Sequence, residues 1–158
     1  MAITSFRAGE SISAGEAVYV SSAGLIYKAS SLTQDQASVV GIAVDSASSG
    51  ELVRVNSDAI YNEYSGLTPG ELQYLSITTS GQVVDYATWE AQLATVSVNP
   101  YQELIGRAIT SSGVAVETGK PRYIVNPTSI LLLEASAGIA LDAILLEDGS
   151  TISLESAA

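Results

Sequence analysis

The chain has no cysteine and no histidine among its 158 residues. The first absence removes disulfides and thiolate chemistry. The second removes the commonest general base and the commonest metal ligand. Basic residues are scarce as well: six Lys and Arg stand against 17 Asp and Glu, a net charge of −11. A phosphate backbone calls for a Lys/Arg footprint, so nucleic acid is not an expected partner, and anionic membranes are disfavoured for the same reason. Charged residues make up only 15% of the chain, short of the roughly one quarter usual in globular proteins. A surface so poor in charge suits a protein that spends its life assembled. The longest apolar tract, near residues 130–146, is interrupted by Glu134, Gly138 and Asp142. A membrane helix needs about 20 apolar residues in a row, so none is expected. The first ten residues lack a basic start followed by an apolar core, so no signal peptide is expected either.

Catalytic patterns are missing too. There is no Gly-x-Ser-x-Gly elbow and no His to serve a Ser nucleophile. No Gly-rich stretch has phosphate-loop spacing. Asp142 and Asp148-Gly149-Ser150 offer oxygens, but without the alternating acidic ladder of a calcium loop. Asp35 and Asp58 stand alone. Glu16 and Glu71 occupy matching turns. Acid–base work would need their carboxyls to face each other across a cleft, and turn-borne Glu side chains are expected in solvent instead. The sequence therefore predicts a protein that is not an enzyme, with no cofactor and no metal.

What is present is a β-module written twice. The first copy runs Gly15-Glu16-Ala17-Val18-Tyr19-Val20, then a Ser21–Gly24 turn, Leu25-Ile26-Tyr27, and later Val39-Val40-Gly41-Ile42-Ala43. The second runs Gly70-Glu71-Leu72-Gln73-Tyr74-Leu75, then Gly81-Gln82-Val83-Val84, and later Leu104-Ile105-Gly106-Arg107-Ala108. An internal repeat of this kind is a statement about architecture. β-branched and aromatic runs around Tyr19 mark strands, Gly24 suits a hairpin turn, and Gly41 marks a bulge or close approach. Glu51–Asn56 alternates Val53 and Val55 against Leu52, Arg54 and Asn56, as a half-buried strand would. Ser30–Ser38 reads as a polar loop. Tyr86–Ala94 is the most helix-like stretch, with Trp89 and Leu93 spaced i, i+4. Tyr19 and Tyr74 are expected as structural strand aromatics rather than a binding platform.

The predicted fold class is all-β: a compact β-barrel or β-sandwich built from two similar β-units, with a C-terminal β-rich extension. Residues 1–11 read as an N-terminal arm. Residues 12–122 form a β-domain with an internal duplication, 12–56 and 67–118. Residues 123–158 form an apolar extension with twelve Leu and Ile and no Lys or Arg. Its phrases Leu131-Leu132-Leu133-Glu134, Leu145-Leu146-Glu147 and Ile152-Ser153-Leu154-Glu155 are too short to bury both faces alone. Exposed apolar area of that kind marks an interface. The candidate interface residues are Ile3 and Phe6 on the arm, and Ile130, Leu131, Leu133, Ile144 and Leu146 on the extension.

The phrases "SAGEAVYVSSAGLIYKAS" and "VVGIAVDSASSGELVRV", between Ser13 and Val55, resemble modules of tailed-bacteriophage capsid decoration (cement) proteins and some phage fibre proteins. "LTPGELQYLSITTSGQVV" and "LIGRAIT" of the second copy are similar, although the insertion around Trp89 departs from the pattern. The Leu-Leu-Leu-Glu and Leu-Leu-Glu-Asp-Gly-Ser phrases of the extension also resemble phage virion structural proteins. The resemblance implies a β-barrel or β-sandwich subunit, usually a homotrimer, seated where capsid hexamers meet. It would bridge major capsid protein subunits and strengthen the shell against internal DNA pressure. It would be assembled in the host cytoplasm and located on the capsid surface of the virion. A tail-fibre or baseplate subunit using the extension as a trimeric β-stalk is the second reading. A carbohydrate-binding β-domain, with Trp89 and Tyr101 stacking on sugars, is the third.

Overall fold

A computed structural model describes residues 3–126, together with two short strands nearer the C-terminus. The fold is all-β. The first β-unit contains β1 (Ile3–Arg7), β2 (Ala17–Val20), β3 (Ile26–Lys28), β4 (Gly41–Ala43) and β5 (Leu52–Asn56), all antiparallel in the order β1-β5-β4-β2-β3. The short helix α1 (Gln34–Ala37) lies between β3 and β4. The second β-unit contains β6 (Ile60–Tyr61), β7 (Leu72–Leu75), β8 (Val83–Asp85), β10 (Leu104–Ala108) and β11 (Val114–Val116), in the order β6-β11-β10-β7-β8. Helix α2 (Tyr86–Thr95) follows β8 directly, and β9 (Tyr101–Gln102) pairs with β12 (Arg122–Tyr123). Both five-stranded sheets run first, fifth, fourth, second, third strand. Neither closes into a barrel among the described residues.

The register carries the repeat down to single residues. Tyr19 faces Tyr27 across β2 and β3, and Tyr74 faces Val84 across β7 and β8. Gly41 lies opposite Val18, and Gly106 opposite Gln73. A methyl group on Gly41 would collide with the Asn56 carbonyl, and one on Gly106 with the Ala115 carbonyl. Both glycines therefore admit the close approach of the fifth strand of their unit. Each Gly-Glu turn places its glycine at positive φ, +87° at Gly15 and +94° at Gly70, where a side chain is strained.

Three apolar clusters hold the described chain together. One lies within the first unit: Val18, Ile26, Val53 and Val55 pack with Ala8, Ile12, Ala43 and Ala47. The largest joins the two units, with Ala17, Ala29, Ala37, Val39 and Ile42 from the first against Tyr61, Leu75, Ile105 and Val116 from the second. The third is local to α2, where Trp89 packs with Ile77 and Val84. Residues 3–7, read in the sequence as part of an arm, instead form a strand whose five residues all pair with β5. The β5 edge offers unpaired N–H and C=O groups, and β1 satisfies them.

The chain divides into two compact units, Met1–Asn126 and Pro127–Ala158. The division falls a few residues beyond Arg122, because Arg122 and Tyr123 pair with β9 and Asn126 bonds the carbonyls of Leu93, Val96 and Val98. Within Pro127–Ala158, β13 (Ala143–Leu145) and β14 (Thr151–Ser153) form an antiparallel hairpin that sets Ile144 opposite Ile152.

Candidate functional site

The two matched glutamates do not face each other. Glu16 accepts the Ser13 backbone N–H at 2.8 Å while its own N–H donates to the Ser13 carbonyl, and it lies 3.8 Å from Lys28 Nζ. Glu51 makes the same reciprocal pair with Ser48. The Glu of such a turn locks the turn. Glu71 keeps the backbone half of this pattern, to the Thr68 carbonyl, and its side chain is exposed.

The strongest electrostatic perturbation lies elsewhere. Glu103, between β9 and β10, is 0% exposed, and among the described residues neither of its carboxylate oxygens has a hydrogen-bond partner. Burial pushes its carboxyl up to about 8, against a smaller opposing pull from the Gly119 backbone. The group is therefore protonated at neutral pH, which avoids an uncompensated buried charge. Its surroundings are the strands Tyr101–Gln102 and Leu104–Ala108, and they form a core position rather than a cleft. Sequence reasoning missed it, because Gln102 beside it and Arg107 beyond it make the stretch read as a mixed polar and apolar one. Tyr64 is also pushed up by burial, and its hydroxyl donates to the Gly15 carbonyl at 2.7 Å. That bond ties the linker after β6 to the first Gly-Glu turn. On the surface, Asp45 is held below its usual range by a two-pronged hydrogen bond from Arg54 at 2.6 and 2.7 Å.

The aromatic residues separate into structural and surface roles. Trp89 is 3% exposed, stacked on Tyr86 with ring centres 6.2 Å apart and close to Tyr74 at 6.3 Å. A buried indole cannot stack on a sugar, so the carbohydrate reading loses one of its two residues. Tyr101, the other, is half-buried and packs on Tyr123 with centres 5.3 Å apart. Among the described residues the exposed aromatics are Tyr123 at 56% and Tyr86 at 47%. With Glu71, Leu72, Tyr74 and Ala87, Tyr86 lines an open depression of about 460 Å³.

The candidate interface residues fall in different settings. Ile3 is 44% exposed on the edge strand β1. Phe6 is half-buried and packs on the core of the first unit. Ile144 lies on β13, of which the backbone alone is described. Ile130, Leu131, Leu133 and Leu146 lie outside the described residues. Other apolar side chains are exposed on the described fold, among them Leu52 at 65% and Ile60 at 51%. Among the described residues no group of three or more acidic side chains is arranged to hold a metal ion, and no helix is long and apolar enough to cross a membrane. The chain matches no protein-family model and no curated protein sequence.

Proposed function

We propose that the protein is a non-enzymatic structural subunit of a phage particle, which decorates the capsid and stabilises it by bridging major capsid protein subunits. The observation that carries this reading is the duplicated Gly-Glu β-unit, whose sequence phrases resemble capsid decoration proteins, joined to a segment with twelve Leu and Ile and no basic residue. Work of this kind requires apolar area for neighbours, since burial contributes roughly 25 cal/mol per Å². It also requires solubility before docking, which the excess of acid provides. A homotrimer on the capsid surface is the assembly the resemblance implies. With neither His nor Cys in the chain, the usual means of nucleophilic and general-base catalysis are missing.

The test is to mix purified protein with capsids lacking it and to image the particles. Regular occupancy at capsomer boundaries, with copy numbers in the hundreds, supports the reading. Density confined to the tail, at a handful to dozens of copies, would replace it with the fibre reading.

A further inference from the structure

The contact between the two β-units is asymmetric. In the second unit, the β7–β8 turn inserts into the first: the Ala17 N–H donates to the Gly81 carbonyl, and the Gly81 N–H donates to the Ala29 carbonyl, both at 2.8 Å. Gly81 is buried there, its Cα flanked by Glu16 and Lys28. The two sheets use different faces. The first unit offers Ala17, Ala29 and Ile42 to the shared core, and the second offers Leu75 and Ile105.

Strand register identifies the unused counterparts. Val20 faces Ile26 as Leu75 faces Val83, so Gly24 is the counterpart of Gly81. Both have φ of +76°, but Gly24 is exposed and has nothing within 4 Å of its would-be side chain. Val20, the counterpart of buried Leu75, is 36% exposed. On the other side, Ala17 faces Ile42 as Leu72 faces Arg107, and Ala29 corresponds to Tyr86. Those counterparts border the open depression at Glu71, Leu72, Tyr74, Tyr86 and Ala87. One turn and one socket are therefore spent within the chain, and one of each is left over. Their sizes also correspond. Five residues separate Val20 from Ile26 where seven separate Leu75 from Val83, and the socket of the second unit holds Tyr86 in place of Ala29. A shorter turn meets a shallower socket. The free turn, Ser21-Ser22-Ala23-Gly24, carries no charge to oppose Glu71.

We propose that the Ser22–Gly24 turn of one molecule docks at Leu72, Tyr74 and Tyr86 of a second copy of this chain, in the place the Gly81 turn takes within one molecule but through side-chain contact, because Tyr86 opens α2 and its carbonyl bonds within the helix where that of Ala29 accepts Gly81. Such a contact is head-to-tail, so it builds a ring if the rotation closes and a filament if it does not. It rests on the fold alone and stands independently of the capsid reading.

The chain has no cysteine, which makes cross-linking clean. Ser22, Ala87 and Ser111 are all exposed. Full-length Ser22→Cys and Ala87→Cys proteins are mixed under mild oxidation, with Ser22→Cys plus Ser111→Cys as the control pair. The Ser22–Ala87 disulfide is expected in several-fold excess over the control and over Ser22–Ser22 links. The double variant Ser22→Cys/Ala87→Cys should give covalent species beyond the dimer. Tyr86→Arg should lower the sedimenting mass of the otherwise unmodified protein. Cross-linking no greater than the control, or dominated by Ser22–Ser22 pairs, overturns the inference. Oligomers that persist without the Ser22–Ala87 link also overturn it, while leaving the capsid reading intact.

Discussion

At the scale of single residues, equivalent positions carry different burdens. Gly24→Ala meets only the strain of its positive φ and should cost about 1 kcal/mol. Gly81→Ala adds contacts near 3.1 Å to the Glu16 side chain and should cost more, as should Gly41→Ala and Gly106→Ala, at roughly 1–3 kcal/mol or above for overpacking. Denaturant midpoints of the four variants check the order. Glu103 yields a pH prediction. Its carboxyl is raised by burial from the ordinary 4.5 to about 8, so the folded state holds a proton that the unfolded chain releases. The associated stability is fully present below about pH 4.5 and is lost as pH rises toward 8, by at most about 1.4 kcal/mol per pH unit. Glu103→Gln, which mimics the protonated acid, should flatten that decline and leave the variant more stable than the parent at pH 8. Denaturation series across this range decide it. An equal slope in both proteins would place the titration elsewhere. The glycine pattern was legible in the sequence because Gly41 and Gly106 each follow an apolar pair and precede an Ala with one residue between. The burial of Glu103 was not, since a Glu carries no sign of which face it takes until the strands pair.

At the scale of elements, the strands were the legible part. The β-branched run around Tyr19 and the Ser21–Gly24 turn both correspond to elements of the fold. Asn56 broke the alternation. It is buried because its side chain accepts the Ala59 N–H and shapes the exit from β5. Helix α1 was hidden in a Ser/Thr-rich stretch read as a loop, although Thr33 caps it by accepting the Gln36 N–H. Four residues are too few to show a helical period. Helix α2 was visible from Trp89 and Leu93. Its cap, Asp85, accepts the Thr88 N–H at 2.7 Å, and Asp85→Ala should cost about 1 kcal/mol. Trp89→Ala should cost about 3–5 kcal/mol. Trp89→Phe should cost less, because the indole N–H has no partner among the described residues. Thermal melts of the three variants, ranked in that way, would confirm that α2 is held by its buried ring rather than by its cap.

At the scale of the whole molecule, cutting the chain after Asn126 should leave the first compact unit folded, whereas cutting after Pro121 removes β12 and the Asn126 bonds and should destabilise it. Circular dichroism and melting of the two truncations test this. On the proposed function, the longer truncation product should melt like the parent protein yet bind capsids poorly. Capsid occupancy equal to that of the full chain would show that the extension is not the attachment. The duplication was readable from the Gly-Glu-…-Tyr phrases. Its handedness of contact was not, because matched sequences do not reveal which face of each copy meets the other.

Asn126 has a mechanical consequence. Its side-chain amide donates to the Leu93, Val96 and Val98 carbonyls, its backbone N–H is held by Asn99 Oδ1, and the two residue pairs between β12 and β9 lie just upstream. In a fragment that ends at Asn126, a pull on the C-terminus meets these bonds first. If they fail, the short β12 ladder comes under tension next, before either five-stranded sheet is loaded. In that fragment Asn126 stands where a fuse would: tension that would otherwise reach a sheet is first spent on a clasp whose hydrogen bonds can re-form once the load is gone.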